Sequence, residues 1–268
     1  MLSDQQLSEF DRDGLVRLSS LFSAADAAGM RERLWDAMAA QHGIERDAPS
    51  TWTVEEPRHF QALSRAGVFN PIGSPGLVAA VDDLLGAGTW IPPACWGGPL
   101  ITFPRPGAEW DVPHQRWHID WPARGSAQPL FGIKVLAFLD AVEVRGGGTV
   151  VLSGSHRLVD RFVSRAGATQ QGNSTTVRRA LMGTHPWLRD LASNDRRNDR
   201  IRRFMVEGTE IEGIALRVVE LTGTAGEAVL LHPWLFHAPA PNCTIRPRMM
   251  VGHGINTAEG VAIFASAV

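Results

Sequence analysis

Tyrosine is absent from this chain, lysine occurs once, at position 134, and cysteine twice, at positions 95 and 243. The first two shortages are read as codon usage, since arginine supplies the rest of the 26 basic residues. The third is more informative. Two thiols without a Cys-x-x-Cys spacing exclude a disulfide framework, a zinc knuckle and a dithiol redox motif, and two buried free thiols are expected. No apolar run reaches the roughly twenty residues of a membrane span, and the opening residues lack the pattern of a signal peptide. The cytoplasm is therefore the default compartment, with no membrane partner. A formal net charge of -2 gives no overall basic character, which argues against a nucleic-acid partner. What remains is a chain of 268 residues, 44% apolar, long enough for one large core.

Helical signals fill the first third. Ser3 with Gln6 forms a capping box, Leu7 and Phe10 share a face, and Gly14 can end that helix. Residues 15–18 look extended. Ser23 then opens a helix whose Ala27, Met30, Leu34 and Met38 recur at helical spacing up to Gly43, and Ser74-Pro75 opens another that ends at Gly86. Residues 47–57 show no period. After Gly88 the texture changes to short apolar or alternating runs broken by Gly and Pro, at 90–96, 99–104, 130–142, 147–154, 215–223, 227–238 and 248–255. Such runs without intervening helices predict an antiparallel sandwich or jelly roll.

The stretch VPHQRWHIDWP, residues 112–122, carries the chemistry. His118 and Asp120 are two residues apart, so in an extended strand both side chains face the same way. A later histidine would complete a facial set of two histidines and one carboxylate, which leaves half of an octahedral iron open. His232, His237 and His253 all compete for that place, and Arg246 and Arg248 follow close behind.

Four segments in order, WHIDW at 117–121, GGTVVLSGSH at 147–156, HPWLFHAPAPNCTIRPR at 232–248 and the opening helix-Gly-strand pattern, resemble the phytanoyl-CoA dioxygenase family of Fe(II)- and 2-oxoglutarate-dependent oxygenases. The resemblance runs along nearly the whole chain. It implies a mainly β fold with a double-stranded β-helix (jelly roll, cupin-like) core: one domain over 1–268, with a helical scaffold at 1–90, core at 91–156 and 208–268, and a helical lid-like insertion at 157–207. It also implies Fe(II), 2-oxoglutarate and O2 as cofactor and co-substrates, and hydroxylation of an unactivated C–H of a small-molecule metabolite with release of succinate and CO2. The family pattern puts the distal iron ligand at His237, beside His118 and Asp120, and the arginine for the distal carboxylate of 2-oxoglutarate at Arg248. A guanidinium suits that task because it is always charged and binds carboxylates through two parallel hydrogen bonds. A carboxylate at position 120 disfavours halogenation, since related halogenases leave that place open for chloride. Desaturation, epimerisation and cyclisation stay open.

Around this set, Thr149 is expected in the co-substrate pocket or simply in a strand. Trp117 and Trp121 wall the substrate side or pack the core. Lys134 interrupts the apolar run FGIKVLAF, so it either reaches solvent or meets a carboxylate of the site, and it is a candidate to bind the co-substrate with Arg248 and Thr149. His156 is read as pinning a loop through hydrogen bonds. Between Arg157 and Arg203 eleven arginines face four aspartates, a local charge of +7. A solvated helix face explains such a run, but a positive lid would also attract an anionic substrate, and Arg178, Arg179 and Arg189 are its candidates. The competing class is a cupin-like protein that binds a metal or small ligand without oxidising anything, for which Arg248 would have no use.

Overall fold

The computed structural model describes residues 1–165, 174–194 and 199–265. The expected insertion therefore falls partly outside the described residues, including Arg196, Arg197 and the stretch 166–173.

Helix α1 (Asp4–Asp13) starts on the Ser3 capping box and ends at Gly14 in the left-handed region, φ +79°. Strand β1 (Leu15–Leu18) follows, then α2 (Ala24–His42), which is boxed by Ser23 and Asp26 and closed by Gly43. A short α3 (Gln61–Arg65) carries no periodic signal, and α4 (Pro75–Leu85) is capped by Ser74. The strands are β2 (Gly98–Thr102), β3 (Gly132–Phe138) and β4 (Thr149–Ser153), followed by α5 (Ser155–Arg165), α6 (Ser174–Gly183) and α7 (Pro186–Leu191). Strands β5 (Thr209–Ile211), β6 (Ile214–Glu220), β7 (Ala228–Leu231), β8 (His237–Pro239) and β9 (Arg248–Asn256) precede α8 (Ala258–Ala265).

All strand pairs are antiparallel, in a five-stranded sheet of order β1-β7-β3-β9-β2 and a four-stranded sheet of order β5-β6-β4-β8. Side chains alternate across each strand, and the burial follows. On β3 and β9, Val135, Ala137, Met249 and Val251 pack outward on the N-terminal helices, while Leu136, Phe138 and Met250 face inward with Val151 of β4 and Val229 and Leu231 of β7. On the other sheet Val150, Leu152, Leu216 and Val218 pack outward against α5, α6 and α7. The molecule thus stacks helices, sheet, interior, sheet and helices, and the mainly β jelly-roll expectation holds.

Several expected elements differ. Residues 90–96 form no strand, only a single bridge from Trp90 to Thr257, because Pro92 and Pro93 have no N–H for a ladder. Residues 112–122 also form no strand. Pro113 and Pro122 bound the stretch, and Arg116 sits at φ +63°, so only one bridge, His118 to His237, ties it to a sheet. The two cysteines are free as expected but half-exposed instead of buried.

The corner between α1 and the second sheet is locked by His156. Its Nε2 meets the Asp11 carbonyl at 3.0 Å, its ring lies 4.7 Å from that of His232, and a Cβ on Gly14 would come within 2.4 Å of its Nδ1. Burial pushes His156 from 6.5 down to about 4 and His232 well below its usual range. Below about 6.5 the unfolded chain takes up protons that the folded chain refuses until about 4, so stability falls with pH across that window. Urea unfolding from about pH 7 to about pH 5 should show a smaller loss of stability for His156→Gln than for the parent. Identical losses would contradict this account.

Candidate metal and co-substrate site

The single bridge at residue 118 does more than join a loop to a sheet. His118 N–H donates to the His237 carbonyl at 2.9 Å and His237 N–H donates back at 3.0 Å, which sets the two histidines directly opposite each other with ring centroids 4.2 Å apart. Each imidazole lies against the carbonyl two residues before it, His118 Nδ1 on Arg116 O at 2.8 Å and His237 Nδ1 on Leu235 O at 3.0 Å. A carbonyl only accepts, so both Nδ1 atoms carry a proton and both Nε2 atoms are the ring nitrogens left to face a metal. Asp120 completes the group: Oδ1 is 3.6 Å from His118 Nε2, and Oδ2 is 3.6 Å from His237 Nε2. One donor atom from each residue lies within 4.8 Å of the others. Burial drives His237 down to about 4, which keeps its imidazole neutral. For Asp120 burial raises the carboxyl, but the histidines and the Lys134 ammonium outweigh it and hold it below its usual range.

Strand alternation brings three further residues to the same interior. His237 pairs with Val151 and Pro239 with Thr149, so Thr149 faces inward beside His237. Arg248 shares the inward face of β9 with Met250, and Lys134 shares that of β3 with Leu136. Arg248 is buried, its Nη1 donates to the Gly147 carbonyl at 2.9 Å, and its Nε has no partner among the described residues. Burial lowers it from 12.5 to about 10, still fully cationic at neutral pH. A buried guanidinium with an open N–H calls for an anion.

These residues line one cavity of about 460 Å³ that contains His118, Asp120, Lys134, Thr149, His237 and Arg248. Glu56, Arg58, Phe60 and Ser64 line it as well, and Glu56 comes from the stretch 47–57 that the sequence left without a period. Glu56 takes both Nη atoms of Arg116, at 2.5 and 3.0 Å, and Nη2 of Arg58 at 3.0 Å. The Arg116 hydrogen bond holds Glu56 below the usual carboxylate range against the opposing effect of burial. This latch ties Glu56 to the residue whose carbonyl orients His118. Nothing in the spacing of residues 47–57 foretold it, although Arg116 stands two positions before His118, on the i, i+2 pattern already in use.

Other expected residues lie elsewhere. Trp117 and Trp121 are buried, bonded to Pro113 O at 2.8 Å and to Asn256 Oδ1 at 2.6 Å, and neither lines the cavity. His232 packs on His156 and Phe10, His253 lies near Trp96, and Arg246 is exposed. Arg178, Arg179 and Arg189 are not brought to the cavity. Their helices bury Val177, Leu181, Trp187, Leu188 and Leu191 on the outer face of the four-stranded sheet, whereas the cavity lies on its inner side. No described residue of 157–207 lines the cavity, and the lid expectation also takes in 166–173 and 195–198, which lie outside the described residues.

Two neutral imidazole nitrogens, one carboxylate and an open side suit a non-haem iron, and the unpaired Arg248 suits the far carboxylate of a diacid. The family model described as phytanoyl-CoA dioxygenase (PhyH) matches residues 10–250. No curated protein matches the chain. Among solved structures, HygX from Streptomyces hygroscopicus, with nickel and 2-oxoglutarate bound, is 14% identical, with 96% of this chain and 88% of that chain covered and a TM-score of 0.54. EvdO2 from Micromonospora carbonacea var. aurantiaca, complexed with 2-oxoglutarate, is 20% identical over 96% and 92% at 0.55. The alpha ketoglutarate dependent carbocyclase SnoK from nogalamycin biosynthesis is 16% identical over 96% and 85% at 0.56.

Equilibrium dialysis against Co(II) should show metal binding abolished by His118→Ala, Asp120→Ala or His237→Ala and retained by His232→Ala. Retention by His237→Ala with loss in His232→Ala would place the metal elsewhere.

Proposed function

The chain belongs to the phytanoyl-CoA dioxygenase family of Fe(II)- and 2-oxoglutarate-dependent oxygenases, and from that premise we propose that it hydroxylates an unactivated C–H of a small-molecule metabolite. In this reading His118, Asp120 and His237 hold the iron, and Arg248 with Thr149 holds the distal carboxylate of 2-oxoglutarate. The observation that carries it is the buried Arg248 with an open Nε in the same cavity as the three donor atoms. A protein that only bound a metal would gain nothing from burying that charge, which is costly without an anion.

When bound, iron with 2-oxoglutarate and O2 would supply the oxidant, and the co-substrate would leave as succinate and CO2. The protein's own part is placement. The two backbone carbonyls orient the imidazoles, Arg248 fixes one end of the diacid, and apolar Phe60, Leu100 and Leu136 shield the remaining space from water. The substrate is read as anionic on the charge of the cavity. Arg58, Arg116, Lys134 and Arg248 outnumber Glu56 and Asp120 there, and a dication and a dianion cancel when both bind. That charge replaces the arginines of α6 and α7 as the reason for expecting an anion.

Incubation with Fe(II), 2-oxoglutarate and a panel of small carboxylates and phosphates should yield succinate with a product heavier by one oxygen atom. A product lighter by two hydrogens would mean desaturation or cyclisation, and one of unchanged mass epimerisation. Arg248→Ala should raise the half-saturating 2-oxoglutarate concentration roughly tenfold to a hundredfold, the effect of one charge-assisted hydrogen bond, and Arg246→Ala should leave it near the parent value. Unchanged 2-oxoglutarate dependence in Arg248→Ala would remove that residue from the site.

A further inference from the structure

Lys134 stands apart from Arg248. On β9, Arg248 pairs with Thr102 at one end, while Gly254, the cross-strand partner of Lys134, lies six positions on, roughly 20 Å along a strand. Both cations line the cavity that holds the three donor residues, and each has its own partner there, the Gly147 carbonyl for Arg248 and Asp120 for Lys134. Glycines 252 and 254 stand opposite Leu136 and Lys134, which leaves the lysine stem room to lie along the sheet. Its Nζ reaches Asp120 Oδ2 at 2.8 Å with both side chains largely shielded, at 22% and 23% exposure. At that length the contact is an ion pair.

We propose that Lys134 is a positioning residue that occupies one oxygen of Asp120, so that the carboxylate offers a metal the other oxygen alone. This rests on the reading of His118, Asp120 and His237 as the metal site. A carboxylate that coordinates through both oxygens fills two places of an octahedron. Beside two imidazoles and a chelating keto acid it would take the place that dioxygen needs. An ammonium on Oδ2 prevents this, and it also lowers the donor strength of the carboxylate. Both effects weaken metal binding while keeping a place open, so the lysine trades affinity for an accessible metal. Arginine at this position would keep the charge on a wider, planar head.

The sign of the effect separates this role from packing. Removing a cation a few ångströms from a bound dication should tighten Co(II) binding by about tenfold or more in Lys134→Met, and a carboxylate freed to bind through both oxygens adds to the same direction. The visible absorption of bound Co(II), which reports coordination number, should shift between parent and variant, and Lys134→Arg should stay near the parent in both readouts. Lys134→Gln, which keeps a polar head without the charge, repeats the test if the methionine variant folds poorly. Weaker or unchanged Co(II) binding with an unchanged spectrum, in a variant with parental thermal unfolding, would overturn the proposal. Failure of the parent to bind Co(II) would instead remove the metal site on which it rests.

Discussion

The paired backbone hydrogen bonds between His118 and His237 are the constraint on which the site depends. They join a stretch that forms no strand to the end of the four-stranded sheet, and they do so at the two residues whose imidazoles must meet. Because each ring then finds the carbonyl two residues back, the same geometry that positions the rings also sets their protonated nitrogen. Asp120, two residues further along the stretch, enters on the same side. The Arg116–Glu56 latch steadies the left-handed turn from which this arrangement starts.

Around that pair, the fold handles buried charge by placing it at opposite ends of the interior. Arg248 sits at the start of β9 with its guanidinium shielded from water, and Lys134 sits at the far end against Asp120. Each is an expense in desolvation that an apolar side chain would avoid, and the strands that carry them otherwise present Leu136, Phe138 and Met250 to the same interior. Both of these charged residues line the cavity that holds the three donor atoms. The pair His156 and His232 follows the opposite course: both are buried as neutral rings and serve the junction of α1 with the sheets.

Much of this was legible beforehand for identifiable reasons. Capping boxes at Ser3 and Ser23 and left-handed glycines at 14 and 43 are local devices, and they ended α1 and α2 where the sequence indicated. Two-residue alternation is also local, so the runs that became β3 and β9 were readable as strands, though not which of their faces turns inward. What alternation does not contain is the choice of sheet face for a helix. The arginine-rich segment was therefore readable either as a solvated face or as a lid, and the apolar residues of its described helices belong to the outer layer. The Glu56 latch was invisible because it joins a stretch without period to a residue far along the chain. Lys134 was ambiguous from sequence alone, since an alternating strand admits either solvent or interior, and the choice turned on the position of Asp120.

The central claim is that one cavity between the sheets holds both a metal on His118, Asp120 and His237 and a diacid on Arg248. Its most direct test is an anaerobic crystal structure with Mn(II) in place of iron and 2-oxoglutarate, read by anomalous scattering. The account predicts a single strong peak within bonding distance of His118 Nε2, His237 Nε2 and one Asp120 oxygen, with the far carboxylate of the diacid on Arg248. A peak at any other histidine, or a diacid whose carboxylates both lie away from Arg248, would contradict it.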